Sequence, residues 1–445
     1  MVDAGPPAPG APAAGEPAAG APLVLHPGEP TLRWSSRAHT VEEIQRELGR
    51  IWARPRDGAP AGEDAERHVS ARTSVLNLVV VVRRPEVGMR TASTISQLTG
   101  RHPSRTLIVA VADPDGPSWL DAQIEAFCVV PRQDAAETCA EMVYLTAGGE
   151  AGNHLHSLIA PLLIHDLPVK LWLPGETSFR GRTAITLADM ADGLIVDGSR
   201  WSGSGLVPLR ELAALATRRL AISDFALMRQ ARWREAIAAT FDMPEFTPFL
   251  RSIRRIAVTY ATHDETGEPE TTNVIRPLYH VAWIAGRLGM QVRSHLRPVS
   301  RGVAPSPETA PRRVRIPTPG RPGPTPVPGG FDATLRHGSA EVAVLLRPRL
   351  SGMPEGTTLR VELLAERRGS ELRADVTAEA ESVHCRVWRD GVDVMERRFN
   401  SSRRTDVELL AEAIESTSDD RIERETLRMA SRILDEPAAE GDAVP

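Results

Sequence analysis

Three rhythms of apolar and polar residues run along this chain, and each predicts a different kind of element. The first is an apolar run of strand length with no polar face: SVLNLVVVV at 74–82 and RTLIVAV at 105–111. A strand apolar on both sides is covered on both sides, which predicts a sheet with helices above and below. VKLWLPG (169–175), GLIVDGS (193–199) and RSIRRIAVTYA (251–261) extend the set. WLDAQIEAFCVV (119–130) and TCAEMVYLTAG (138–148) lie too close together for a crossover helix, so they predict partly antiparallel neighbours.

The second rhythm has a helical period. In AHTVEEIQRELGRIW (38–52), Val41, Ile44, Leu48, Ile51 and Trp52 share one face, and Thr40 with Glu43 forms a capping box worth about 1 kcal/mol. MRTASTISQLTG (89–100) predicts a short helix stopped at Gly100, and NHLHSLIAPLLIHDLP (153–168) one closing before Pro168. PLRELAALATRRL opens on Pro208 in its first turn, SDFALMRQARWREAIAATF (223–241) reads as one long helix, and NVIRPLYHVAWIAGRLG ends at Gly289. The third rhythm is strict alternation in EVAVLLRPRL, TLRVELLAER, LRADVTAEAE, SVHCRVWRD and DVMERRF, followed by helical DVELLAEAIES and RIERETLRMASRIL.

Strands alternating with helices predict an α/β fold: a layered, mixed-sheet N-terminal domain at 31–298. The alternating set predicts a smaller α+β C-terminal domain with an antiparallel meander at 331–437. Ala/Pro/Gly-rich sequence at 1–30 has nothing to bury and predicts a disordered tail, as does 438–445. Proline density at 299–330 blocks helix and ladder alike and predicts an extended linker.

A chain of 445 residues, 41% hydrophobic and 25% charged, fits a two-domain globular protein. A formal net charge of -5 gives no global pull toward phosphate backbones, so nucleic acid is not an expected partner. No apolar run reaches the ~20 residues of a membrane helix. The start reads as no export signal. Cys128, Cys139 and Cys385 lack metal-ribbon spacing; core packing of Cys128 and Cys139, without a disulfide framework, and a reducing cytoplasm are expected.

Tests for local chemistry come back empty. VDGSRWSGSGLVP follows a strand and precedes a helix, but Pro208 stands where a dinucleotide loop needs its third glycine after Gly205. His154 and His156 are two apart and face opposite sides of a helix, so they cannot share a metal with His165 or Asp166 nearby. The turn at 113–116 resembles a calcium loop but continues with Pro117, Ser118 and Ile124 at ligand or glycine positions. No phosphate loop or nucleophile elbow occurs. No catalytic residue, cofactor or metal is therefore expected. RHPSR (101–105) packs two arginines before a buried strand without acid, base or nucleophile, which reads either as a charged loop or as a clamp for an anion or carboxylates.

TSVLNLVVVV, GRHPSRTLIVAV, CAEMVYLTAGG, LIAPLLIHDLPVKLWLPG, VDGSRW, ISDFALMRQARWREAIAATFD and PLYHVAWIAGRLG resemble successive blocks of the OpcA family, in order, over roughly residues 35–295. DDRIERETLRMASRIL is similar to the family's last helix. The resemblance implies a non-catalytic subunit that binds glucose-6-phosphate dehydrogenase and promotes its assembly or allosteric activation in the oxidative pentose phosphate pathway. Expected contacts are Arg101, His102, Ser104 and Arg105 at one loop and Ser199, Arg200 and Trp201 at another, with Trp233 and Arg234 as alternatives. Trp172, Trp233 and Trp283 also sit in periodic apolar segments, where a core position is the plainer reading. The rival readings are a sugar-phosphate or nucleotide-binding enzyme and a scaffold sensing a small anion at the arginine loop.

Overall fold

The computed structural model describes residues 30–53, 71–72, 74–112, 115–129, 138–175, 179, 181–216, 220–264, 268–299, 329–400, 402–416 and 421–434. The expected tails apart from Pro30, nearly all of the proline-rich stretch, and residues 113–114 of the turn lie outside these. The first sheet contains β1 (Thr31–Ala38), β2 (Ala71–Arg72), β3 (Leu76–Val82), β4 (Ser104–Ala112), β5 (Trp119–Val129), β6 (Thr138–Gly148), β7 (Val169–Leu173), β8 (Gly193–Val196) and β9 (Ala221–Asp224). Their order is β1-β5-β6-β4-β3-β7-β8-β9, with β2 beside β6. From β6 to β9 neighbours are parallel; β5 is antiparallel to both β6 and β1.

Six helices accompany this sheet: α1 (Val41–Ala53), α2 (Pro85–Ser96), α3 (Gly149–Asn153), α4 (Leu155–Ile159), α5 (Arg182–Asp189) and α6 (Leu206–Leu215). The chain steps from β3 through α2 to β4 in one direction, and from β7 through α5, β8 and α6 to β9 in the other. Right-handed crossovers therefore put α2 on one face and α5 and α6 on the opposite one. Side chains agree: Ala92 and Ile95 of α2 pack with Leu78, Val80 and Ile108, whereas Leu187, Leu209 and Leu212 pack with Val79, Leu171 and Val196. The α1 capping box is present, with Glu43 N–H on Thr40 Oγ1 at 3.2 Å and the Glu43 carboxylate on His39 N–H at 2.8 Å.

The rest of the chain forms α7 (Phe225–Met228), α8 (Ala231–Phe241), β10 (Ile253–Thr262), α9 (Ile275–Arg287), β11 (Gln291–Val299), β12 (Gly330–His337), β13 (Ala340–Leu350), β14 (Thr358–Arg367), β15 (Ser370–Ala378), β16 (Ser382–Arg389), β17 (Val392–Asn400), α10 (Asp406–Glu415) and α11 (Arg421–Leu434). The second sheet runs β11-β12-β13-β10-β14-β15-β16-β17. The meander from β14 to β17 is antiparallel, and β10 pairs parallel to β13.

Four expectations need correcting. First, a division at 299 does not follow the sheets. Ile256, Val258 and Tyr260 of β10 are wholly buried, and the strands that flank them, β13 and β14, come from beyond residue 330. The terminal helices also leave the meander: α11 packs on α9, and α10 on α2. Second, Cys128 and Cys139 form a disulfide. The β5–β6 register sets them directly opposite, with Cα atoms 4.0 Å apart, so hairpin geometry achieves what their spacing along the chain hides. The argument from absent disulfides to a reducing compartment is thereby lost. Third, the helix expected over 153–168 is only α4 and a 3-10 turn at Ala160–Leu162. Fourth, 223–241 is not one helix: β9 ends at Asp224, whose side chain accepts from Ala226 N–H and starts α7, and α8 follows separately.

Candidate functional site

The sheet order reverses between β3 and β7, and beyond the carboxyl ends of such strands an open α/β sheet forms its crevice. Here that crevice holds a network of charges. Asp197 directly follows β8, and its nearly inaccessible carboxylate accepts from Ser199 Oγ at 2.6 Å, Arg200 Nε at 2.9 Å and Arg229 Nη1 at 2.8 Å. Asp406, the first residue of α10, accepts from Arg200 Nη2 at 2.9 Å and Arg229 Nη2 at 2.8 Å. Two guanidiniums thus each bridge an inner and an outer carboxylate. Burial pushes the Asp197 carboxyl up, but Arg229, Ser199 and Arg200 outweigh it and hold it below its ordinary value. Burial also opposes the charge on Arg229, and the two aspartates reverse that and raise its pKa.

Behind this layer lies Asp224. Its oxygens accept from Gly198 N–H at 2.9 Å, Ala226 N–H at 2.8 Å and Tyr279 O–H at 2.7 Å. Complete burial, with the Asp197 charge second, pushes it up to about 6 despite those donors. The loop can come this close only because residue 198 is glycine: a Cβ there would stand 2.7 Å from Asp224 Oδ2. Asn273 ties the loop down by donating to the carbonyls of Gly198 and Trp201, both at 2.9 Å. The glycine-rich sequence serves the fold, and Gly205 takes the left-handed backbone (φ 74°) that begins α6.

A pocket of about 120 Å³ remains at this point, lined by Arg90, Thr91 and Thr94 of α2, by Trp172, and by Asp197, Arg200 and Asp406. α10 reaches it through its first residue, Asp406. Going from β7 to β9, the crossover helices cover only the α5–α6 face, and the other face over β7 and β8 is covered by α10 and α7. Leu409 and Leu410, both 0% exposed, pack with Trp172, Ile195 and Phe225. Thr405 and Glu408 form a reciprocal capping box at the start of α10. At its far end Glu415 pairs with Arg101 at 2.7 Å and His102 at 3.0 Å, and Lys170 Nζ donates to Ser416 O at 2.6 Å. A C-terminal helix is clamped at both ends in the place of a crossover helix.

The expected contact residues do not form one surface. Arg101 and His102 face Glu415. Ser104 is buried and shares a hydrogen bond with Thr106, and Arg105 is buried against Glu141 (2.5 Å) and the Leu162 carbonyl (2.9 Å). An arginine committed to an internal carboxylate offers no clamp to a partner. Ser199 and Arg200 belong to the crevice. Trp201 is buried edge-on against Phe179, Trp233 is buried edge-on against His280, and Arg234 donates to the Leu227 carbonyl at 2.7 Å. Sequence reasoning missed Asp197, Asp224, Arg229, Asp406 and Tyr279. The only local signal was an aspartate at the exit of each of two buried strands. Among the described residues no cluster of three metal-ligating side chains occurs, and no helix is long and apolar enough to cross a membrane.

A family model described as the N-terminal domain of the glucose-6-phosphate dehydrogenase subunit matches residues 95–217, and the corresponding model for its C-terminal domain matches 220–427. The putative OxPP cycle protein OpcA of Synechococcus elongatus is 27% identical over 182 residues, which is 41% of this chain and 39% of that relative's length. Among solved structures, a putative oxidoreductase from Magnetospirillum magnetotacticum is similar over 81% of this chain and 98% of its own, at 12% identity and a TM-score of 0.41. A super-repressor mutant of Gal80p from Saccharomyces cerevisiae is similar over 77% of this chain and 83% of its own, at 8% identity and a TM-score of 0.39. These two are too distant to bear on function.

Proposed function

The chain belongs to the OpcA family of glucose-6-phosphate dehydrogenase assembly proteins, and from that premise we propose that it binds the dehydrogenase and promotes its assembly or allosteric activation without catalysing a reaction itself. The observation that carries this reading is the pair of family matches running through both sheets. The crevice supports it. Asp197 and Asp406, the carboxylates that line the pocket, are spent on Arg200 and Arg229, and Asp224 is spent on backbone amides and a tyrosine. The reading carries a cytoplasmic location with it.

A protein that prefers the active form of an enzyme shifts the population by its difference in affinity for the two forms. A preference of about 100-fold corresponds to about 2.7 kcal/mol. Of the residues expected at the contact, Arg101 keeps 64% of its side chain exposed just before the amino end of β4, and we place the contact there. The test is dehydrogenase activity against glucose 6-phosphate with and without this chain, together with oligomer size. A change in KM, maximal rate or assembly is the expected result. No change in any of them overturns the reading, and turnover by the chain alone overturns its non-catalytic part. Arg101→Ala should weaken the effect; an unchanged titration moves the contact elsewhere.

A further inference from the structure

The crevice contains an anion that the protein supplies to itself. Asp406 offers one oxygen to Arg200 and the other to Arg229, at 2.9 and 2.8 Å, as an oxyanion bridging two guanidiniums would. Unlike Asp197, whose side chain is 3% exposed, Asp406 is 41% exposed and sits on the wall of the open pocket. A third guanidinium stands behind them. Arg276 meets only hydroxyls, Ser199 Oγ and Thr357 Oγ1, both at 3.1 Å, and its buried Nε has no acceptor among the described residues. Ser199 Oγ also accepts from Arg229, so the unpaired cation lies one hydroxyl away from the bridged pair. Buried guanidiniums cost several kcal/mol unless a charge answers them. Asp197 and Asp406 answer two, and among the described residues no carboxylate touches Arg276.

We propose that this crevice is a binding site for the phosphoryl group of a small phosphorylated molecule, and that Asp406 is its built-in competitor. A phosphoryl group carries more negative charge than a carboxylate and three acceptor oxygens, so it can take both Nη2 donors that Asp406 now occupies. It would also meet Arg90, Thr91 and Thr94 across the pocket. Asp406 opens α10, so its displacement frees the start of that helix from the sheet. The ligand thereby couples to the packing of α10, which its own capping box keeps helical. The pocket's 120 Å³ fits the phosphoryl group and leaves the rest of the molecule at its mouth. This inference does not rest on dehydrogenase binding and is tested on the chain alone.

The experiment is calorimetric titration of the full chain at low ionic strength with inorganic phosphate, then with a sugar phosphate and the corresponding free sugar. Wild type should bind both phosphate compounds and not the sugar. Asp406→Asn removes the competing charge at constant size and should tighten phosphate at least about 10-fold. Arg200→Gln, at a position 48% exposed, should weaken it by about as much. Hydrogen exchange across Asp406–Glu415 in wild type should accelerate when phosphate is added. Equal or weaker binding by Asp406→Asn, or unchanged affinity in Arg200→Gln, overturns the site. Should Asp406→Asn fail to fold, the Arg200→Gln titration alone decides. Unchanged exchange in α10 while phosphate binds overturns the competitor role of Asp406.

Discussion

In the first sheet both faces are covered by helices, and charges that enter its crevice are answered by partners from distant parts of the chain. Asp197, Arg229 and Asp406 come from three parts of the chain, the first two 32 positions apart and the last two 177. In the second sheet one face packs Val361, Leu363, Ala374, Val376 and Cys385 into the core. The other face carries pairs between neighbouring strands: Arg255–Glu362 and Arg360–Asp375 at 2.6 Å, Arg386–Glu396 at 3.2 Å, and Arg373 stacked 4.1 Å over Trp388. Their arginines are 38–46% exposed, nearer to solvent than the 3% of Asp197, so these pairs are screened more. The crevice pairs close around a buried carboxylate; the sheet-face pairs include a chain, Arg255–Glu362–Arg360–Asp375, and more exposed pairs such as Arg398–Glu379. Removing the buried carboxylate should therefore cost much, and removing a member of an exposed pair little.

Four measurements test that contrast. Asp197→Ala takes the buried carboxylate from two guanidiniums, leaving them only the more exposed Asp406, and should cost about 4 kcal/mol of unfolding free energy in urea. Leu410→Ala opens a cavity under α10 and should cost about 3 kcal/mol. If that variant is as stable as wild type, α10 does not belong to the core of the first sheet.

The third is a pH test. His280 is wholly buried against Trp233 with no hydrogen-bond partner on either ring nitrogen among the described residues, and burial, with Arg234 second, pushes it down to about 3. Unfolding restores its ordinary 6.5, so the unfolded chain takes up the proton first and this position loses stability as pH falls below 6.5. Asp224, raised from 3.8 to about 6, has the opposite sign: it gains stability as pH falls through 6 toward 3.8. The stability of His280→Leu relative to wild type should therefore improve by about 2 kcal/mol between pH 7 and pH 5. A constant difference would mean that His280 is not buried in its neutral form. The smallest effect belongs to Glu379→Gln, whose pair with Arg398 is more than half exposed on both sides, and it should shrink further in salt. A loss as large as that of Asp197→Ala would erase the distinction between the sheets.

Elements were legible in the sequence where one rhythm held for a full strand or helix. The apolar runs of β3, β4 and β7 and the alternation of β13 to β16 carry their own burial pattern. β1 was missed because TLRWSSRA is an edge strand, half exposed along most of its length, with polar residues on both sides. β9 was missed because only four residues, AISD, separate it from helical sequence that extends past it. α5 has a weakly apolar face, and β11 and β12 flank a proline-rich stretch that drew the reading of both. The site was nearly illegible. Arg101 and Arg105 look alike in RHPSR, yet one lies at the surface on Glu415 and the other lies inside on Glu141, and only strand register decides which. Likewise nothing near Asp406 announces that it will meet Arg200.

The parallel ladder between β10 and β13, from Arg255–Ala343 to Thr262–Leu350, joins the polypeptide on either side of the proline-rich stretch through the middle of a sheet. The sheet interior is thus shared by two stretches of sequence, and no single stretch of chain could supply it. Two separately produced pieces, one ending after β11 and one beginning at β12, would present complementary edges to each other.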